Sequence, residues 1–272
     1  MLGYVCKYTP MELFEAMDTE ITRLEPSVTD FNHADTLMHA NICSYTKAVL
    51  EDVMEHDYEG VILTTCCDSI RRLYDTLKSQ FPDKFFFLLD IPRKFNDFAV
   101  ALYERQLKQM LTEYEAFSGK TLDLKRFVSM MQNKAALKKQ ENTRMSASAV
   151  SEKGNGQKLN IGIMGARCNN EIRQLLVDRG ANLLFDLTCT GLARDFSITE
   201  DQVLHSYAAA LLNQIPCMRM LKAANREHFL DGFTDRLDGI IYHTVKFCDS
   251  YSYEYADFRQ RLDLPILLVE TD

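Results

Sequence analysis

The chain has 272 residues, 46% of them hydrophobic, which is enough apolar material for a substantial core and a length that suits two domains. The net charge of −8, without a basic tail, argues against a nucleic acid partner. Eight cysteines are too few for a disulfide scaffold, and the N-terminus lacks the features of a signal peptide. No apolar run approaches the roughly 20 residues of a membrane span. We therefore expect a cytoplasmic protein with reduced thiols and no membrane contact.

The first half of the sequence predicts helices that alternate with short buried strands. Proline at the start and apolar residues at helical spacing predict a helix over 10–17. The further helices are expected at about 35–56, 69–80 and 94–140, the last a long polar region. Apolar, β-branched or aromatic runs predict strands at 60–65 and 85–91.

Composition changes over 138–158, where almost no large apolar residue occurs, and this segment is typical of a linker. Strands are predicted after it at 159–164, 181–187, 238–243 and 265–270, and helices at 170–178, 199–213 and 218–229. The pattern predicts an α/β protein: two tandem Rossmann-like or flavodoxin-like domains with mainly parallel sheets and a helical linker region. The predicted domains are residues 1–137, with a long helical extension, and residues 159–272.

Several cysteines follow predicted strands directly. Cys67 follows the strand at 60–65, Cys189 the strand at 181–187, and Cys248 the strand at 238–243. Parallel sheets bind ligands beyond the carboxyl ends of their strands, so these thiols line one cleft if the two domains face each other. Cys66 and Cys67 point to opposite faces, and Cys67 is preferred because an aspartate follows it, as one follows Cys248. For a single cysteine, burial as a small apolar side chain is the alternative.

Four segments taken together resemble the 2-hydroxyacyl-CoA dehydratase family, which includes benzoyl-CoA reductase subunits and double-cubane cluster proteins. The segments are Cys43-Ser-Tyr45, Thr65-Cys-Cys-Asp-Ser-Ile-Arg-Arg-Leu-Tyr74, Lys246-Phe-Cys-Asp-Ser-Tyr251 and Leu268-Val-Glu-Thr-Asp272. The resemblance implies a 4Fe-4S cluster held by three cysteines, which by motif match are Cys43, Cys67 and Cys248. Cys66, Cys168, Cys189 and Cys217 are the less favoured candidates. No catalytic or substrate-binding residue can be assigned from the sequence.

The resemblance also implies a reaction and partners. Family enzymes are lyases that add one electron to the thioester carbonyl of a 2-hydroxyacyl-CoA, so that a ketyl radical expels the hydroxyl group. The electron comes from a separate ATP-dependent activator, and the subunit pairs with a homologous second subunit or with itself. We therefore expect an anaerobic iron-sulfur subunit that acts on an acyl-CoA thioester.

Three alternatives stay open. Cys168, Cys189 and Cys217 suggest a second cubane, as in a double-cubane-type low-potential reductase, and a benzoyl-CoA reductase-like subunit is another alternative. A non-catalytic partner subunit is the third. A second cubane or FMN stays open as a further cofactor. The chain stops directly after its last predicted strand, so we expect a member that is shortened at its C-terminus.

Two further features are explained by ordinary structural roles. The segment Ile161-Gly-Ile-Met-Gly-Ala166 lacks the complete glycine pattern of a phosphate-binding turn, so an ordinary strand-to-helix turn is expected. His39 and His243 lie close to ligand segments and are candidates for proton transfer. A hydrogen-bonded structural role is the more common one for such histidines.

Overall fold

Two parallel β-sheets with helices around them make up the computed structural model of the chain. The structure describes residues 1–28, 30–148, 158–168, 170–189, 191, 198–214, 217–220 and 224–271. Each sheet has four strands, and every strand pair is parallel. The predicted α/β class is therefore confirmed.

The first sheet is built from the N-terminal half of the chain. Its strands are β1 (Leu2–Tyr4), β2 (Ile21–Arg23), β3 (Gly60–Thr64) and β4 (Phe85–Leu89), in the order β2-β1-β3-β4. The helices of this half are α1 (Met11–Ala16), α2 (Asn32–Leu37), α3 (Ser44–Glu55), α4 (Asp68–Gln80), α5 (Asp97–Ser118) and α6 (Leu124–Ser148).

Both faces of the first sheet are buried, which explains why its central strands are apolar throughout. Ile62 and Phe87 face a core that includes α5, and Phe85 packs edge-on against Tyr114 of that helix with ring centroids 5.0 Å apart. Val61 and Leu63 face the opposite core, which contains apolar residues of α3 and α4. Burial of each such side chain stabilises the fold by about 1.5–3 kcal/mol.

The second sheet repeats this arrangement. Its strands are β5 (Asn160–Gly165), β6 (Asn182–Thr188), β7 (Gly239–Val245) and β8 (Ile266–Thr271), in the order β6-β5-β7-β8. The helices are α7 (Asn170–Asp178), α8 (Val203–Leu212), α9 (Ala224–Asp231) and α10 (Asp249–Arg261), with a short 3₁₀ helix at Thr234–Arg236.

Helix α8 ties the two halves of the chain together. It packs against α5, and its residues Tyr207 and Leu211 are fully buried in the core of the first half. The hydroxyl of Tyr207 donates a hydrogen bond to the buried carboxylate of Glu12 in α1. The first sheet is thus partly covered by a helix that follows β6 in sequence.

Several predicted boundaries differ from the structure. The helix expected at 35–56 is interrupted, because the chain leaves α2 after Leu37 and enters α3 only at Ser44. Strands β1 and β2 were not predicted. Helix α6 continues to Ser148, so the first part of the predicted linker is helical, and 149–157 lie outside the described residues. In the described part of the chain, no helix is both long enough and apolar enough to cross a bilayer.

Candidate metal centre

Three helices of the structure begin directly after a cysteine. Cys43 is the N-cap residue of α3, Cys67 of α4 and Cys248 of α10. The N-terminus of a helix carries a partial positive charge and unpaired N–H groups, which favour an ionised thiol. The three cysteines predicted as cluster ligands therefore share one local setting that suits metal-binding thiolates.

The turns that deliver two of these cysteines are short. Cys67 lies three residues beyond β3, and the N–H of Ile70 acts to lower its pKa. Cys248 lies three residues beyond β7, where Phe247 takes a left-handed conformation with φ of 62°. This conformation costs a non-glycine residue about 1–2 kcal/mol, so the chain accepts local strain to place Cys248.

Seven of the eight cysteines line a single cavity of about 130 Å³, which we call the cysteine cavity. They are Cys6, Cys43, Cys66, Cys67, Cys189, Cys217 and Cys248. By the same measure one water molecule needs roughly 10–15 Å³, so the cavity has room for a larger ligand. The structure brings Cys43 and Cys67 of the first half together with Cys248 of the second half.

Charge interactions link the three predicted ligands. The pKa of Cys67 is lowered, mainly because Cys66 donates a hydrogen bond to its sulfur, while the charges of Cys43 and Cys248 oppose this effect. Burial raises the pKa of Cys248 to about 12, and the charge of Cys43 adds to the rise. Thr46 donates a hydrogen bond to the Cys43 sulfur at 3.6 Å. Thiols this close resist joint ionisation unless a positive ion binds them.

Cys189 and Cys217 form a second group of thiols in the cysteine cavity. Cys189 donates a hydrogen bond to Cys217, which lowers the pKa of Cys217 and raises that of Cys189. The Tyr251 hydroxyl oxygen lies 2.9 Å from the Cys189 sulfur and 3.5 Å from the Cys217 sulfur. Burial raises the pKa of Cys6 to about 12, and the charges of Cys66 and Cys217 add to this effect.

Cys168 is the one cysteine that does not line the cysteine cavity. It is 1% exposed and lines a neighbouring cavity of about 410 Å³, which we call the adjoining cavity. Burial raises the pKa of Cys168 to about 11. The predicted group of Cys168, Cys189 and Cys217 is therefore split between two cavities. Cys6, and not Cys168, lines the same cavity as Cys189 and Cys217.

The two cavities share Tyr45, Arg167 and Val245 in their walls. The Arg167 guanidinium stacks on the Tyr45 ring at 4.0 Å from its centroid, donates to the carbonyl of Leu24 and lies 3.5 Å from the Glu25 carboxylate. These contacts fix the position of Arg167 and Tyr45 in the wall between the two cavities, which we call the partition. Both cavities lie at the carboxyl ends of the strands, where ligands bind to parallel α/β proteins.

His243 also lines the adjoining cavity, on β7. Its side chain is almost fully buried, its Nε2 atom lies 3.0 Å from the Thr271 hydroxyl, and burial lowers its pKa. The imidazole is therefore neutral near pH 7, as expected for a hydrogen-bonded structural histidine. His39 is exposed, and its Nδ1 atom accepts a hydrogen bond from the N–H of Asn41.

The wall of the cysteine cavity is rich in basic side chains and thiols. Lys7, Arg167 and Arg219 line it, whereas no Asp or Glu is found among the described residues of its wall. Within the described part of the chain, no three His, Cys, Asp or Glu side chains are grouped to hold a single metal ion. An iron-sulfur cluster has a different requirement, because each thiolate binds a different iron atom. The thiol-rich, cationic wall fits an anionic metal-sulfur cluster better than one divalent ion.

Sequence reasoning did not select Cys6 or Arg219. Cys6 follows β1, which has only three residues and gives no periodic signal. Had β1 been recognised, the rule about the carboxyl ends of parallel strands would have placed Cys6 beside Cys67. Arg219 gives no signal in the sequence, because its position depends on contacts between distant segments.

The fold and the site define a protein of two parallel α/β halves with a cysteine-lined cavity between their strand ends. Comparison with family models assigns it further: the chain belongs to the 2-hydroxyglutaryl-CoA dehydratase, D-component family, whose model matches residues 6–147 and 128–272. The search of curated proteins found no match.

Proposed function

We propose that this chain is the iron-sulfur subunit of a 2-hydroxyacyl-CoA dehydratase-like enzyme. The observation that carries the proposal is the convergence of seven cysteines from both halves on one cavity, beside a larger cavity with a shared wall. Family membership supports the type of reaction, because the family is named for a dehydratase component, which is a lyase.

Cys43, Cys67 and Cys248 are the proposed ligands of a 4Fe-4S cluster. Their support is the common setting at three helix N-termini and their mutual charge interactions. Of these residues Cys67 is the most exposed, so the cluster lies near the surface there. When bound, such a cluster supplies one-electron transfer at low potential together with an iron atom that has no protein ligand.

In the proposed reaction, an ATP-dependent activator supplies one electron to the thioester carbonyl of a 2-hydroxyacyl-CoA. The resulting ketyl radical loses its 2-hydroxyl group as hydroxide, which makes the β-proton acidic. Loss of that proton and return of the electron give the enoyl-CoA and water. The acyl end of the substrate is assigned to the adjoining cavity, because this cavity is larger and shares Tyr45, Arg167 and Val245 with the cysteine cavity.

The experiment that tests this proposal is an anaerobic dehydration assay. The purified chain is combined with an ATP-dependent activator, ATP and a homologous second subunit, and enoyl-CoA formation from a panel of 2-hydroxyacyl-CoA thioesters is followed by chromatography. We expect turnover by the wild type, loss of turnover in Cys67→Ala, and retention in Val177→Ala, which changes an exposed residue of α7 that lines neither cavity. Absence of turnover with every thioester, from protein that contains iron, would contradict the proposal.

The second subunit is proposed as a homologous chain or a second copy of this one. Turnover by the chain and activator alone would favour the homodimer and argue against a non-catalytic partner role.

A second candidate function is favoured by the position of Cys6, Cys189 and Cys217. These three thiols line the same cavity as the proposed ligands and could hold a second cubane. A protein with two clusters would suit low-potential reduction rather than dehydration. About eight irons per chain, rather than about four, would select this alternative.

A further inference from the structure

Arg219 is the feature of the cysteine cavity that the proposed function does not use. Its Nη2 atom donates a hydrogen bond to the carbonyl of Ile91 at 3.1 Å. Its Nε and Nη1 atoms are buried and have no hydrogen-bond partner among the described residues. An arginine stays charged at any pH that a protein experiences, so this partly buried side chain carries a positive charge with two buried donors that need acceptors.

Among the described residues, the surroundings of Arg219 supply no compensating carboxylate. The described wall of the cysteine cavity contains Lys7, Arg167 and Arg219 but neither Asp nor Glu. Arg167 has Glu25 as an ion-pair partner outside the cavity, whereas no ion pair is found for Arg219 among the described residues. Charged groups removed from water are stable when they are paired, and an anion bound in the cavity would pair with Arg219.

The thiols indicate where such an anion would lie. Arg219 is close enough to Cys66 for its charge to favour the ionised form of that thiol, and Cys66 in turn donates a hydrogen bond to Cys67. Cys217 lies two residues before Arg219 in the chain and lines the same cavity. Arg219 therefore faces the group of sulfur atoms that would surround a bound cluster.

Net charge and hydrogen bonds to sulfur are two of the factors that set the reduction potential of an iron-sulfur cluster. Reduction adds one negative charge, and a nearby fixed positive charge stabilises the reduced state more than the oxidised state. The partly buried position of Arg219 strengthens this effect, because water screens the charge less there than at the surface.

We propose that Arg219 is a positioning residue of the metal centre that raises the reduction potential of the bound cluster, through its charge and through hydrogen bonds from Nε and Nη1 to cluster sulfur. This inference rests on the proposed function, because it requires a cluster in the cysteine cavity. Beyond the proposed function, it assigns to Arg219 an influence on the reduction potential of the cluster.

The test is a redox titration of anaerobically reconstituted protein, with dithionite as reductant and the cluster signal followed by electron paramagnetic resonance. The variants are Arg219→Gln, Arg219→Lys and the control Arg71→Gln. The control removes the same charge from an exposed position in the first turn of α4. Iron is measured in each sample before titration.

We expect Arg219→Gln to lower the reduced-to-oxidised ratio at a fixed potential at least tenfold, a shift of about 59 mV for a one-electron couple. Arg219→Lys should fall between this variant and the wild type, because it keeps the charge but loses the planar fork of donors. Arg71→Gln should titrate like the wild type.

An unshifted potential in Arg219→Gln, with iron retained, would overturn the inference and leave the proposed function intact. If Arg219→Gln does not retain iron, Arg219→Lys decides: a more negative potential supports the role of Arg219, and an unchanged one overturns it. Wild-type protein that binds no iron would overturn both proposals.

Discussion

Gly165 determines how closely β5 and β7 approach beside the two cavities. Its φ is 105°, and a Cβ atom built on it would lie 2.1 Å from the carbonyl oxygen of His243. The N–H of Ala166 donates a hydrogen bond to the same carbonyl at 2.7 Å. The glycine thus allows a close turn at the end of β5, two residues before Arg167.

Gly165→Ala should destabilise the protein by at least about 3 kcal/mol, because the new methyl group meets backbone atoms that cannot move alone. Gly180→Ala is the matched control, since Gly180 has a φ of 75° but open space around its Cα. The control should cost only about 1 kcal/mol. Denaturant unfolding measures both free energies of unfolding. Equal losses of stability in the two variants would show that the close approach to His243 does not exclude a side chain at position 165.

Individual site residues were predictable to different degrees. Cys67 and Cys248 follow strongly apolar strands, so their place at the sheet edge could be predicted from the sequence. Cys43 has no such signal, because it precedes α3 in an irregular segment, and only the family resemblance selected it. Cys6 and Arg219 depend on a three-residue strand and on contacts between distant segments, which local patterns do not contain.

Helices α9 and α10 and strand β7 are joined by a buried ionic network. The Arg226 side chain, 1% exposed, places Nη2 3.0 Å from the Glu254 carboxylate. The Tyr242 hydroxyl donates to the same carboxylate oxygen at 2.5 Å. Burial raises the pKa of Glu254, and the charge of Arg226 opposes that rise. The network connects the two helices to the sheet and lies beside the second group of thiols.

Arg226→Met should destabilise the protein by about 3–5 kcal/mol, because it leaves Glu254 as an uncompensated buried charge. The double variant Arg226→Met/Glu254→Gln should recover more than half of this loss, since glutamine stays neutral and still accepts from Tyr242. Denaturant unfolding of the two variants and of Glu254→Gln alone completes the cycle. Additive losses would show that the two side chains are not coupled.

The loss in Arg226→Met also depends on pH. Without the arginine, the pKa of Glu254 in the folded protein lies further above its ordinary value of 4.5. The folded state then binds the proton more tightly than the unfolded state, so stability falls as pH rises through the raised pKa. The deficit should be largest at neutral pH and should shrink as pH approaches 4.5.

Helices with a clear apolar pattern, such as α4 and α7, were predicted well, and short or tertiary-dependent elements were not. The region expected to be helical over 94–140 is two helices, because α5 ends at Ser118 with Gly119 in the left-handed conformation and α6 begins at Leu124. Helix α7 begins and ends where the sequence predicts it, and α4 differs by one residue. Strands β1 and β2 have three residues each and take their stability from neighbouring strands. The break before α3 was also missed, because it separates two helical segments that read as one apolar stripe.

Two halves of similar design form one site only because the carboxyl ends of their sheets face a common cleft. The strand orders are β2-β1-β3-β4 and β6-β5-β7-β8. In each sheet the order in which strands are added changes side between the first strand and the third, that is, between β1 and β3 and between β5 and β7. Such reversal points are where parallel α/β proteins bind ligands. Cys6 and Cys67 flank the first reversal point, while Arg167 and Cys248 flank the second, so the cavities occupy the positions that the topology favours.

Among the described residues, the second half is covered less completely than the first. No residue of α7 is buried, and Leu267 of edge strand β8 is 60% exposed. Helix α8, which follows β6 in sequence, is used instead to cover the first sheet. Alternation of strands and helices predicted two α/β units, but it could not predict that α8 packs on the first half, because this packing depends on contacts between segments that are distant in sequence.

The central claim is that Cys43, Cys67 and Cys248 hold an iron-sulfur cluster, and iron and sulfide content after anaerobic purification tests it most directly. The wild type and Cys168→Ala should contain about four irons per chain, and each of Cys43→Ala, Cys67→Ala and Cys248→Ala should lose them. Iron lost equally from Cys168→Ala, or an iron-free wild type after reconstitution with iron and sulfide, would contradict the assignment.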